Sequence, residues 1–208
     1  MLFSHRKEDV MDFVLATTNQ GKAKEINALF GEDHIVRTLA DVGFTDEIVE
    51  DGETFIDNAI IKTKAVHKWL GGRYYVLADD SGLIIDALDG RPGVQTAYWL
   101  GTEITYAEKN LKTLEMLVDV PDAKRTARFV CVIAYANLNG EIQTFEGTLE
   151  GRIAFEVAGA NGFGYDPIFY VPEHGCTLAE LSAEEKNCIS HRSQALRQMA
   201  SAIGAKLS

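Results

Sequence analysis

The chain has 208 residues, 46% of them hydrophobic and 25% charged, with a formal net charge of -11. That composition is globular, and no apolar run approaches the roughly 20 residues that a helical membrane span needs. The acidic balance argues against a nucleic-acid polymer as partner, because duplex binding wants a basic face, but a single nucleotide needs only a few local cations.

Residues 1–12 carry His5-Arg6-Lys7-Glu8-Asp9 where a signal peptide would need its apolar core. Residues 1–10 therefore read as a disordered extension, 11–208 as a single two-lobed domain, and the cytoplasm as the location. The three cysteines, Cys131, Cys176 and Cys188, form no C-x-x-C pair. No disulfide framework or zinc knuckle is expected, and Cys131 reads as a core filler.

Residues 13–17 read as a first buried strand and 20–30 as a helix with Ala23, Ile26, Leu29 and Phe30 on one face. Residues 34–39 fit a short strand, and 41–53 are acidic and irregular. Residues 54–70 make an amphipathic helix with Phe55, Ala59, Val66 and Trp69 on the apolar side, ended by Gly71-Gly72. A strand over 74–78 then leads into Asp79-Asp80-Ser81-Gly82, where the sequence predicts a sharp turn before the apolar run Leu83-Ile84-Ile85.

Gly90-Arg91-Pro92-Gly93 is a tight turn, and Thr105 with Glu108 forms the capping box of a helix reaching Leu117. Asn139-Gly140 marks a hairpin between a strand over 125–138 and a returning strand over 141–149. A glycine-rich stretch over 159–164 precedes the apolar 167–171. Ser182 with Glu185 is another capping box, and a last helix covers about 190–203 with Gly204 as its stop. This order predicts an α/β fold with a mixed, strongly twisted central sheet, in two lobes with a cleft between them.

Four groups of residues could carry chemistry. Thr17, Thr18, Asn19, Gln20, Gly21 and Lys22 lie between a strand and a helix, where free backbone N–H groups and the helix dipole favour an anion. The same residues also suit a plain helix cap with an exposed lysine. Asp79 and Asp80, with Glu50 or Asp51 upstream, offer hard oxygen ligands for Mg²⁺, or an acidic surface turn. Phe163, Gly164, Tyr165 and Asp166 form a loop whose rings could stack a base or join the core. Lys186, His191 and Arg192 surround the start of the last helix, where cations are disfavoured unless an anion lies near.

Taken together, these segments give the chain its resemblance to the inosine triphosphate pyrophosphatases. The matching pieces are 17–22, 54–59, 78–83, 90–93, 162–167, and 184–187 followed by 190–192, in the family's order and spacing over nearly the whole chain after Met11. The resemblance implies hydrolysis of deaminated purine nucleoside triphosphates to the monophosphate and pyrophosphate. It implies Mg²⁺, a homodimer, and a two-lobed α/β protein.

By that resemblance Thr17 to Lys22 hold the triphosphate, Ser81 touches substrate and Lys62 faces the phosphates. Asp80 binds metal with Asp79 and Glu50 beside it, and the base is either Asp80 or a metal-bound hydroxide. Phe163 to Asp166, Lys186, His191 and Arg192 enclose the purine. Donors such as Arg192 or Lys186 bond a 6-oxo group and cannot accept from a 6-amino group. After Gly93, where relatives read Tyr-Ser-Ala-Arg-Tyr, this chain reads Gln95-Thr96-Ala97-Tyr98-Trp99, with Tyr98 in place of the arginine. The alternatives are a pyrophosphatase for modified or pyrimidine nucleotides and a catalytically silent nucleotide-binding module.

Overall fold

A computed structural model of the chain describes residues 10–208. The extension expected over 1–10 therefore lies, apart from Val10, outside the described residues. The strands are β1 (Asp12–Leu15), β2 (Ile35–Thr38), β3 (Tyr75–Ile85), β4 (Thr126–Ala136), β5 (Ile142–Ile153), β6 (Phe169–Val171) and β7 (Cys176–Thr177). The α-helices are α1 (Gln20–Phe30), α2 (Phe55–Leu70), α3 (Tyr106–Met116), α4 (Ala183–Ile189) and α5 (His191–Ile203).

The described strands form one open sheet in the order β2-β1-β3-β4-β5-β6-β7. β2, β1 and β3 are parallel; from β3 onward each neighbour is antiparallel. The α/β class with a mixed sheet is the one the sequence predicts. No helix among the described residues is long and apolar enough to cross a membrane.

The helix ends are where the local signals place them. Thr54 with Asp57, Thr105 with Glu108 and Ser182 with Glu185 each close a reciprocal capping box. Gly71 and Gly204 end α2 and α5 in the left-handed conformation.

β1 is buried on both faces, which is why it reads as a continuous apolar run. Phe13 and Leu15 join Ile26, Phe30, Leu77, Ile133, Leu196 and Met199 beneath α1 and α5. Val14 and Ala16 join Val66, Leu70, Val76 and Ala78 beneath α2. A separate cluster around Leu83, Phe129, Tyr165, Ile168 and Phe169 covers the far end of β3 and β4.

Three expectations are corrected. The chain does not turn at Ser81-Gly82. β3 runs unbroken, with Asp79 opposite Ile133, Asp80 opposite Val132, Ser81 opposite Cys131 and Gly82 opposite Val130. The antiparallel β4 supplies the ladder that a sequence cannot display. Gly82 serves close approach instead: a Cβ there would lie 2.4 Å from the Gly93 carbonyl oxygen and 2.5 Å from Thr96 Oγ1. Trp69 stays 40% exposed, edge-on to Phe44 at 5.4 Å, while Asn58, Lys62 and Thr63 occupy the buried face of α2. The returning strand continues to Ile153, where β6 and then β7 extend the sheet.

Gly147 of β5 lets the start of α5 rest on the sheet. A Cβ at this position would come within 2.1 Å of the His191 carbonyl oxygen and 2.8 Å of the Ala195 nitrogen, both backbone atoms. Gly147→Ala is expected to cost about 2 kcal/mol by forcing α5 off β5. A thermal melt should show this as a fall of about 4–8 °C; an unchanged Tm would remove the close approach as a constraint.

Candidate active site

The connections of β1 create the crevice. From β1 the chain passes through α1 to β2 on one side, then returns through α2 to β3 on the other. Open α/β sheets leave a ligand crevice at such a reversal, beyond the carboxyl ends of the strands. Ala16 N–H donates to the Leu77 carbonyl at 2.7 Å, holding the end of β1 beside the acidic part of β3. Asn19 caps α1, its Oδ1 accepting from Lys22 N–H at 3.1 Å. Thr17 Oγ1 accepts from Asn19 N–H at 3.2 Å.

Successive strand residues point to opposite faces, so the structure separates Asp79 from Asp80. Asp79 faces α1 and α5. Its Oδ1 lies 2.9 Å from Lys22 Nζ, and its Oδ2 accepts from Arg192 Nε and Nη2 at 3.2 Å and from Ser81 Oγ at 2.8 Å. Arg192 Nη2 also donates to Ser81 Oγ at 2.9 Å, and Nη1 pairs with Glu25 of α1. Glu25 in turn holds Lys186 Nζ at 2.7 Å, and Lys186 bonds Asp166. On this face three carboxylates (Glu25, Asp79, Asp166) meet three cations (Lys22, Lys186, Arg192).

Asp80 faces α2. Its Oδ1 accepts from Lys62 Nζ at 2.9 Å, and the same ammonium donates to Glu50 Oε2 at 2.6 Å. Asn58, one turn before Lys62, accepts the Gly52 N–H at 2.8 Å and so pins the irregular segment that carries Glu50. Here two carboxylates share one cation, an excess of negative charge. Asp80 Oδ2 is buried and has no hydrogen-bond partner among the described residues.

The ionisation of these groups follows from their surroundings. Burial acts to raise the Asp79 carboxyl, but Lys22, Arg192 and Lys62 outweigh it and hold Asp79 well below the ordinary carboxylate range. Asp80 goes the other way: burial raises it, and Lys62 only partly offsets that. Burial acts to lower Lys62, yet Asp80, Asp79 and Glu50 raise it overall. His191 is pushed well below its ordinary value by burial and by Arg192 and Lys186, so its imidazole is neutral.

The α5 start resolves the charge problem the sequence poses. Ser190 caps the helix by accepting from Ser193 N–H at 3.2 Å. Arg192 in the first turn is met by Asp79 and Glu25, and His191 carries no charge. The His191 ring stacks on Phe129 of β4 at 4.8 Å and 11°, and its Nδ1 is buried without a partner among the described residues.

In the glycine-rich loop, Asp166 Oδ2 accepts the Phe163 N–H at 2.8 Å. The Phe163 ring lies 4.8 Å from Lys186 Nζ and 5.7 Å from Arg192 Cζ. Tyr165 does not present its ring: it is buried against Tyr106 at 5.4 Å, edge to face. Its hydroxyl is buried without a partner.

These groups line one cleft of about 470 Å³, within the roughly 300–1,000 Å³ of small-molecule sites. Of the sequence-selected residues, Thr17, Thr18, Asn19, Lys22, Glu50, Lys62, Asp80, Ser81, Phe163, Gly164, Tyr165, Asp166, Lys186, His191 and Arg192 line it. Three stand apart. Gln20 is exposed away from the cleft. Gly21 packs under Phe163, whose ring would lie 2.6 Å from a Cβ there. Asp79 lies beneath the floor. Tyr98, in the arginine's place, lines the mouth and is 58% exposed.

Glu25 and Phe129 are not among the sequence-selected residues, and Asn58 falls within the matching segment 54–59 without an assigned role. Glu25 sits three residues after Lys22 on one helix face, a spacing that could have suggested it. Phe129 sits among apolar strand residues and carried no signal.

The chain matches the family model for the Ham1 family over residues 13–202. It is 49% identical over 189 residues to a dITP/XTP pyrophosphatase of Halalkalibacterium halodurans, covering 90% of this chain and 96% of that protein. It is 50% identical over 190 residues to one from Desulforamulus reducens, covering 90% and 93%. The solved structure of the Staphylococcus aureus Ham1 protein superposes with a TM-score of 0.82 at 39% identity, covering 93% of this chain and 98% of that one. A nucleoside-triphosphatase, dITP/XTP pyrophosphatase, from Mycobacterium abscessus gives 0.72 at 40% identity, covering 91% and 98%. The resemblance read from the sequence motifs is borne out, and the chain belongs to the Ham1 family.

Proposed function

We propose that this chain hydrolyses deaminated purine nucleoside triphosphates such as ITP, dITP and XTP to the monophosphate and pyrophosphate. The relatives' activity supports the reaction. The observation that carries it is one cleft joining an acidic floor, where Asp80 Oδ2 is unspent, to a cationic and aromatic end at Lys186, His191, Arg192 and Phe163. The resemblance supports a homodimer.

Hydrogen-bond accounting supports the base end. Lys186 spends two of its three N–H groups on Glu25 and Asp166. Arg192 spends four of five on Asp79, Ser81 and Glu25. Each keeps one donor, and an unpaired buried donor penalises a 6-amino group while bonding a 6-oxo group.

The donor set suits Mg²⁺. Asp80 and Glu50 offer hard oxygens on a face with excess negative charge. No three His, Cys, Asp or Glu side chains converge among the described residues, so phosphate oxygens and water would complete the ion's shell. Asp80 and Glu50 would hold it; Asp79 is spent on Lys22, Arg192 and Ser81. When bound, Mg²⁺ supplies charge neutralisation to the triphosphate.

The chain's own groups do the rest. Lys62 holds Asp80 Oδ1 and leaves Oδ2 without a hydrogen bond. Water attacks the α-phosphorus as the bond from that phosphorus to the bridging oxygen breaks and pyrophosphate leaves. Asp80 Oδ2 accepts the water's proton. Lys22, at the start of α1, faces the departing phosphates with the helix dipole behind it.

Pyrophosphate release should favour ITP over ATP by about 100-fold or more in kcat/KM, and a chelator should abolish it until Mg²⁺ is returned. Equal values for the two nucleotides would end the proposed specificity, and chelator-insensitive turnover would remove the ion. Asp80→Asn should lower kcat by about 10²–10⁴-fold with a near-normal melting temperature; near-normal turnover would take Asp80 out of the reaction. Because burial raises Asp80, the acid limb of kcat/KM should lie above the ordinary aspartate range, with activity rising as pH rises through it. Lys62 opposes that rise, so Lys62→Met should move the limb to still higher pH. A pH profile with the limb unmoved, or moved down, would break the link between these two residues.

A further inference from the structure

We propose that Lys109 and Asn110 of α3 are positioning residues that set the span between the acidic floor of the cleft and its aromatic loop. The inference rests on the hydrolytic reading above.

Lys109 is only 3% exposed. Its ammonium donates to the Ala97 carbonyl at 2.7 Å and lies 5.2 Å from the centre of the Tyr106 ring. Among the described residues it makes no ion pair. A buried ammonium compensated by one carbonyl and a ring is costly, and an apolar side chain would fill the space at lower cost. What the lysine adds is a charge-assisted bond fixing the backbone at residue 97.

That backbone belongs to the short segment docked on β3 just past Asp80. Thr96 Oγ1 accepts the Leu83 N–H at 3.0 Å, and Gly93 and Thr96 press on Gly82. Residues 94–98 line the cleft on the acidic side. Asn110, also 3% exposed, donates from Nδ2 to the Gly164 carbonyl at 3.1 Å. Gly164 has φ of 68° and sits between Phe163 and Tyr165.

Two consecutive residues of one helix thus each hold a different wall. α3 is a rigid spacer, and the separation of the two walls it anchors at Lys109 and Asn110 decides where the α–β phosphoanhydride falls when the base occupies the loop at 163–166. Misplacement by about 1 Å can cost about 100-fold in rate. A substrate whose base engages the loop depends on the spacer; one whose base does not engage depends on it less.

The test is kcat/KM for ITP and for ATP in Lys109→Met and Asn110→Leu, well below each variant's Tm. Each should lose about tenfold or more on ITP and less on ATP, narrowing the ITP to ATP ratio at least about fivefold. The double variant should lose less than the product of the single losses, because both act on one span. If Lys109→Met does not fold, Lys109→Arg, which keeps a charged donor for Ala97, should retain the ratio while Asn110→Leu lowers it. ITP and ATP falling in equal proportion, or neither falling, would overturn the spacer. A wild-type chain inactive on ITP would sink the hydrolytic reading with it, whereas an active wild type with an unmoved ratio overturns the spacer alone.

Discussion

Asp79 and Asp80 are consecutive residues of a central strand, and the pleat sends their carboxylates to opposite faces of the sheet. Neither can share the other's partners, so each face must supply its own cations to a group taken out of water. Leaving one such charge uncompensated would cost several kcal/mol. On the α1 and α5 face the answer is a closed lattice in which Lys22, Arg192 and Lys186 balance Asp79, Glu25 and Asp166. On the α2 face the answer is incomplete: among the described residues Lys62 is the one cation paired with Asp80 and Glu50. One face is balanced in charge and the other carries an excess of negative charge.

That division also ties chemistry to folding. The balanced lattice joins α1, β3, the loop at 163–166, α4 and the first turn of α5. It fixes the Lys186 and Arg192 end of the cleft. Arg192 is nearly inaccessible, so its charge is committed mainly to the protein. His191, stacked on Phe129 and held neutral by burial beside two cations, offers a nitrogen free to act as donor or acceptor. Cys131, opposite Ser81 in the ladder, places its thiol 3.7 Å from Asp79, so the residue read as a core filler also closes the apolar side of the lattice.

Local signals were legible wherever a short stretch of chain decides the outcome. The capping boxes at Thr54, Thr105 and Ser182, the glycine stops at Gly71 and Gly204 and the hairpin at Asn139-Gly140 are all interactions within a few residues. The unbroken β3 was not legible, because two aspartates followed by Ser-Gly look like a turn unless β4 is already in view. Trp69 was read as buried from its spacing, but the buried face of α2 was taken by Asn58 and Lys62, polar residues drawn inward by Gly52 and by the carboxylates. The sequence leaves the Tyr165 ring either to stack a base or to join the core, and Tyr106 on a distant helix decides for the core.

The order of motifs along the chain is enough to mark the family: a strand-to-helix loop, adjacent acids, a glycine-flanked aromatic and a Ser-His-Arg helix start. It could do so because each of these is a contiguous motif with its own backbone requirement. The packed fold alone settles that Asp79 is paired with Lys22 and Arg192 while Asp80 keeps an unpartnered oxygen, that Asn58 and Phe129 line the cleft, and that Glu25 pairs with Lys186 and Arg192. The reason is that burial and charge pairing are set by groups far apart in the chain, and the hydration each carboxylate loses is known only once the opposing helices are in place.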